Sequence, residues 1–181
     1  MRKTKFCIAL GFSGGIIKKI NKSWEILSKK FKMKYVSNNN CVPHITLVSG
    51  VLNLDNQNLA YKILKNIKYK KFKLKSPGLA IFANKKPNLY VRWERDKEII
   101  KIRELITKKT SKYFSKKSKY CEDKLWEPRS VIAWNDLRYE NVKNIVDKIN
   151  FLFKEHQAIV DCLLFIDFTK KEKIINQIRF K

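Results

Sequence analysis

The chain of 181 residues is 44% hydrophobic and 12% aromatic, which is enough for one well-filled core and too little for two ordinary domains. We therefore expect a single domain over residues 1–181. A net charge of +25 and a pI near 10.0 favour phosphate-rich partners such as RNA, DNA or nucleotides. A purely compositional origin of the charge stays open, because all but seven of the 41 basic residues are lysine.

The cysteines and histidines limit the metal sites and disulfides that the chain can form. The four cysteines form no C-x-x-C pair, which argues against a zinc knuckle or a disulfide framework and fits a reducing compartment such as the cytoplasm. With two histidines, an imidazole-based metal site is not expected, while carboxylate-bound magnesium stays open. We predict no cofactor. No apolar stretch reaches membrane-spanning length, so we expect no membrane attachment. We also expect a monomer.

The first half of the chain alternates strand and helix patterns. An apolar run at 5–12 predicts a core strand rather than a signal peptide, because it is short and ends in Gly-Phe-Ser-Gly-Gly. A helix follows, with apolar residues on one face, and the asparagine-rich stretch 37–42 predicts a loop. A strand at 43–51 is expected to place His44, Thr46 and Val48 on one side. The next helix, about 55–67, has Asp55 as its expected cap.

The second half repeats this order after about residue 77, which predicts two similar lobes, 1–77 and 78–181, facing each other across a groove. Asp96 is expected to cap the third helix. The predicted elements of this part are strands near 70–75, 79–83, 88–94, 128–134, 158–168 and 176–180, helices at 96–114 and 137–153, and a polar loop at 115–124.

Two segments, PHITL at 43–47 and WEPRSVIAW at 126–134, begin their predicted strands in a similar way. Together with KFCIALGF, GLAIFANKKPNLYVRW and the closing strand, they make nearly the whole chain resemble the 2H phosphoesterase superfamily. That superfamily includes RNA 2′,3′-cyclic phosphodiesterases and the proteins called 2′,5′ RNA ligases. The resemblance implies a bilobal α+β fold, with antiparallel sheets, outer helices, and two His-x-Thr/Ser motifs aimed into one basic groove.

The first of these motifs is intact. Residues two apart on a strand point to the same side, so His44 and Thr46 can touch one phosphate. The resemblance implies His44 as a general acid or base and Thr46 as a phosphate-binding hydroxyl, without a metal. A satisfied core histidine and ordinary strand propensity are the structural alternatives for these two residues.

The second motif is altered. Alignment on the prolines places Arg129 where the second histidine belongs and Val131 where the second hydroxyl belongs. A guanidinium grips phosphate but does not exchange protons near neutral pH, so Arg129 is expected to clamp the substrate. Ser130 would join the groove only through a bulge or a one-residue slip.

Further residues are expected to line the groove. Arg92 is a candidate phosphate contact, and the aromatic side chains of Tyr90, Phe12 and Trp126 are candidates for stacking on a nucleobase, with core packing as the alternative. Three functions follow as hypotheses: a phosphodiesterase acting on an RNA-type 2′,3′-cyclic phosphate, a 2′,5′ linkage or a cyclic nucleotide; a binding module of the same fold; or an unrelated basic nucleic-acid-binding protein.

Overall fold

Strands and helices alternate along the chain in the computed structural model, which describes residues 3–154 and 156–181. The strands of this part are β1 (Lys3–Ser13), β2 (Ile45–Asn53), β3 (Phe72–Ser76), β4 (Gly78–Phe82), β5 (Asn88–Arg92), β6 (Arg129–Ala133), β7 (His156–Asp167) and β8 (Lys173–Arg179). The helices are α1 (Gly15–Phe31), α2 (Tyr35–Asn38), α3 (Leu54–Lys65), α4 (Lys97–Thr110) and α5 (Tyr139–Ile149), and short 3-10 turns follow α4 and α5.

The strands form two antiparallel sheets. The larger sheet has the order β2-β1-β7-β3, and β8 pairs with the part of β7 that β3 leaves free. The smaller sheet has the order β4-β5-β6. The α+β fold with two antiparallel sheets is therefore as predicted. The sheets do not divide the chain at residue 77, because β7 and β8 complete the sheet that β1 begins.

One core fills the space between the sheets and the helices. Phe6, Ile8 and Leu10, at every second position of β1, are fully buried and belong to the same core cluster as Ile16 and Ile20 of α1. The apolar face of a strand repeats every two residues and that of a helix every 3.6 residues, and here the two apolar faces pack against each other. On the opposite face of the larger sheet lies a smaller cluster of short and medium side chains, formed by Cys7, Ala9, Cys162, Leu164 and Ile166.

The helix boundaries differ in part from those predicted. The cap of α3 is Asn53, whose Oδ1 accepts a bond from the Asn56 amide at 2.8 Å, whereas Asp55 lies in the first turn, where its charge favours the helix dipole. The cap of α4 is Asp96, as predicted. The loop expected at 37–42 begins inside α2.

Among residues 3–154 and 156–181, no helix combines the length and the apolarity that a membrane crossing requires.

Candidate active site

The imidazole of His44 is held at both nitrogens. His44 directly precedes β2, and its Nδ1 lies 2.7 Å from the carbonyl oxygen of Val42, while its Nε2 lies 3.1 Å from Oγ1 of Thr46. A carbonyl only accepts, so Nδ1 holds the hydrogen. In the neutral ring Nε2 then has the lone pair and accepts from the Thr46 hydroxyl. Both side chains are half-buried.

A β-bulge interrupts the alternation of β2 directly after Thr46. Ala9 of β1 pairs with Thr46, and the adjacent Ile8 pairs with Val48, which leaves Leu47 without a partner. The alternation therefore shifts at Leu47, and Val48 is buried in the core instead of sharing a face with His44 and Thr46 as predicted.

Arg129, the first residue of β6, lies in an aromatic box. Its guanidinium carbon is 5.4 Å from the ring centroid of Phe82, 5.8 Å from that of Tyr90 and 5.4 Å from that of Tyr120. Its Nη1 is buried and has no hydrogen-bond partner among the described residues. A buried donor without a partner is unfavourable.

The two motif segments meet where the sheets join. Ser130 Oγ donates to the carbonyl oxygen of His44 at 2.9 Å, and Trp126 Nε1 donates to that of Thr46 at 2.8 Å. Ser130 Oγ in turn accepts from Trp93 Nε1 at 3.0 Å. The strand that begins with Arg129 is thereby fixed beside the strand that begins after His44.

Three residues predicted to contact a ligand are buried instead. Phe12 is 5% exposed and packs on Trp93, with ring centroids 5.1 Å apart. Trp126 is 3% exposed and stacks under the guanidinium of Arg103 at 4.6 Å, and Ser130 is 1% exposed. Their interior positions make Phe12, Trp126 and Ser130 supports of the site rather than surfaces for a base or a phosphate.

The other two predicted contacts have partners within the protein. Arg92 pairs with Arg129 across the strands, and its Nε donates to Glu127 at 2.7 Å, so a ligand would have to compete with this ion pair. Tyr90 lies opposite Val131 and forms one wall of the aromatic box. Burial, followed by the charge of Glu127, raises the pKa of Tyr90, so its hydroxyl stays protonated as a donor.

Two residues missed by the sequence analysis come from turns. Tyr120 lies in the segment 115–124, which is anchored to β2 where the Ser118 amide donates to the carbonyl oxygen of Ser49 at 3.0 Å. Glu172, in the turn between β7 and β8, accepts from the amide of Val42 at 2.8 Å. Glu172 thus fixes the residue whose carbonyl holds His44, although 130 positions separate Val42 from Glu172.

A surface cavity of about 280 Å³ lies between α1 and the segment 36–41. Its lining includes Trp24 and Val36 and none of the motif residues. Within residues 3–154 and 156–181, no group of three histidine, cysteine or acidic side chains is arranged to hold a metal ion.

The whole chain superimposes on known structures. Apo LigT from E. coli matches with a TM-score of 0.63 at 10% identity, over 100% of this chain and 99% of LigT. This chain has the LigT fold. LigT complexed with 3′-AMP matches with a TM-score of 0.60 at 10% identity, over 99% of each chain. A protein described as a phosphoesterase matches with a TM-score of 0.59 at 8% identity, over 98% of this chain and 99% of its own.

The likeness to LigT confirms the predicted fold class, α+β with antiparallel sheets. No family model matches the chain, and no curated protein matches its sequence. At 8–10% identity the likeness to LigT establishes the fold. The activity has to be argued from the site itself.

Proposed function

We propose that this chain is a metal-independent phosphodiesterase for an RNA-type 2′,3′-cyclic phosphate, a 2′,5′ linkage or a cyclic nucleotide. The supporting observation is the junction of the two sheets, where His44 and Thr46 of one segment lie beside the segment that begins with Arg129. LigT, which has the same fold, has been crystallised with 3′-AMP and with ATP.

His44 is the proton carrier of this proposal. The bond from Nδ1 to the Val42 carbonyl leaves Nε2 as the basic atom of the neutral ring. Nε2 removes a proton from the attacking water while the water oxygen forms a bond to phosphorus. The bond from phosphorus to one ribose oxygen of the cyclic phosphate breaks, and that oxygen takes a proton from solvent. Thr46, released from Nε2, donates to a non-bridging oxygen.

Arg129 takes a different role from that of a second histidine. It stabilises the negative charge that grows on the phosphoryl oxygens, which offsets part of the missing acid. Loss of one general acid typically costs about a hundredfold to ten-thousandfold in rate. A cyclic phosphate is the substrate least affected, because release of ring strain assists departure of its oxygen.

The decisive experiment is hydrolysis of nucleoside 2′,3′-cyclic phosphates in the presence of a chelator. We expect His44→Ala to abolish turnover and Thr46→Val to lower kcat. His156→Ala is the matched control, because His156 is the other histidine of the chain and lies on β7 against Lys19. Activity that survives His44→Ala, or that requires a divalent metal, would reject the proposal.

A second candidate is a module that binds RNA ends or cyclic oligonucleotides without turnover. It is favoured by Arg129, which does not exchange protons near neutral pH, and by the net charge of +25. This candidate predicts tight, salt-sensitive binding of a 2′,3′-cyclic phosphate that is recovered intact after prolonged incubation.

A further inference from the structure

The main-chain carbonyls of both first-motif residues accept hydrogen bonds from side chains of the segment 126–130, which leads into β6 of the smaller sheet. An edge strand such as β2 would otherwise leave these carbonyls to water or to a neighbouring chain. Instead His44 O accepts from Ser130 and Thr46 O accepts from Trp126, at 2.9 and 2.8 Å. These two bonds attach to the same two residues whose side chains are proposed to act on phosphate.

The direction of the Ser130 bond is fixed by its surroundings. An indole nitrogen only donates, so Trp93 Nε1 occupies a lone pair of Ser130 Oγ, at 3.0 Å. The single hydroxyl hydrogen is then free for the carbonyl of His44. Trp93 and Ser130 are each 1% exposed, so water does not compete for either group.

Trp126 is similarly immobilised. The guanidinium of Arg103 lies over its ring at 4.6 Å, and Arg103 is fixed by Asp123 at 2.6 Å and by the carbonyl of Cys121 at 2.7 Å. Arg103 is itself only 5% exposed. The indole N–H is therefore aimed at Thr46 O by a well-packed ring.

We propose that Ser130 and Trp126 are positioning residues, which orient His44 and Thr46 through their main-chain carbonyls. The altered second motif then has two roles. Arg129 contacts the ligand, and Ser130, on the opposite side of the same strand, positions the first motif through its hydrogen bond to the His44 carbonyl. This inference rests on the proposed function for the role of His44. It goes further because it assigns the buried side of the second motif a part in catalysis.

The test combines kinetics with a readout that does not need turnover. A His156→Gln background leaves His44 as the single histidine of the chain, so its ring nitrogens are assigned in 15N NMR spectra without ambiguity. We expect the hydrogen on Nδ1 in this background, and a second tautomer in Ser130→Ala. Ser130→Thr keeps the hydroxyl and should restore the single tautomer.

The kinetic expectation is a selective loss in kcat. Displacing a catalytic group by about 1 Å can cost a hundredfold, so Ser130→Ala should lower kcat on a 2′,3′-cyclic phosphate about tenfold or more, with KM nearly unchanged. Trp126→Phe, which keeps a smaller aromatic ring and removes the donor, should act in the same direction. Ser23→Ala is the matched control, because Ser23 is fully buried and donates to a carbonyl within α1 at 2.6 Å, on a helix that supplies none of the motif residues.

Two results would overturn the inference. One is a folded Ser130→Ala with one unchanged His44 tautomer; the other is a kcat equal to that of Ser23→Ala. If Ser130→Ala does not fold, Trp126→Phe decides in its place through kcat and the 15N spectrum. If the wild type turns over none of the substrates, the proposed function fails, and the tautomer comparison still decides the positioning role.

Discussion

Replacing Arg129 by methionine separates ligand binding from folding. In the free protein two effects oppose each other. Three aromatic rings at 5.4–5.8 Å from the guanidinium carbon contribute about 0.5–1 kcal/mol each. The buried, unpartnered Nη1 costs about 1–3 kcal/mol. Because these effects nearly cancel, we expect the free energy of unfolding to change by about 1 kcal/mol or less.

In the proposed complex the guanidinium of Arg129 also binds a phosphate, so the two effects no longer cancel. Hydrogen bonds to a charged group contribute about 1.5–3 kcal/mol, so Arg129→Met should raise the Kd for 3′-AMP about tenfold to a hundredfold. It should also lower the slope of log K against log salt by about one. Calorimetric titration at several salt concentrations measures both quantities.

The matched control for Arg129→Met is Arg138→Met. Arg138 is 76% exposed in its side chain and pairs with Glu140 at 3.6 Å, so this variant removes the same charge away from the aromatic box. Equal weakening of 3′-AMP binding in the two variants would show that only the overall charge matters. A loss of more than about 3 kcal/mol of stability in Arg129→Met would refute the cancellation argument instead.

Three further predictions concern stability. Gly11→Ala places a Cβ 2.5 Å from Cys162 Sγ and should lower the free energy of unfolding by about 1–3 kcal/mol. In denaturant titrations the double variant with Cys162→Ala should lose less stability than the two single variants together. Asp96→Ala removes the hydrogen bond to the Ile99 amide at 2.9 Å and should lower the free energy of unfolding by about 1 kcal/mol. An unchanged stability would show that α4 does not depend on its cap. Burial and then Lys19 lower the pKa of His156 from 6.5, so the unfolded chain binds this proton more readily; stability should fall as the pH drops below about 6.5, and less so in His156→Gln.

Local patterns in the sequence predicted most of the strands and helices and the proximity of His44 and Thr46. The period-two alternation around Ser130 correctly placed it away from the face of Arg129, and no slip turns it outward. The alternation failed at Val48, because the bulge at Leu47 depends on the register with β1, which a single strand does not encode.

Contacts between distant turns could not be predicted. Tyr120 belongs to a polar loop, and Glu172 to a turn far along the chain, and neither has a periodic signal. Trp126 and Phe12 have side chains suited to stacking on a base, yet the same apolar area is equally suited to burial. Packing between remote segments buries these two side chains, and residue type alone does not distinguish burial from stacking on a base.

The central position of β7 has a consequence for biosynthesis. This strand is made late, yet it pairs with β1, β3 and β8 in one sheet. A nascent chain that has emerged only as far as β6 therefore lacks the middle of its larger sheet, and the ladder between β1 and β2 has one unprotected edge. The larger sheet can be completed only after β7 and β8 have left the ribosome, so chaperone protection is most valuable while β1 and β2 wait for β7.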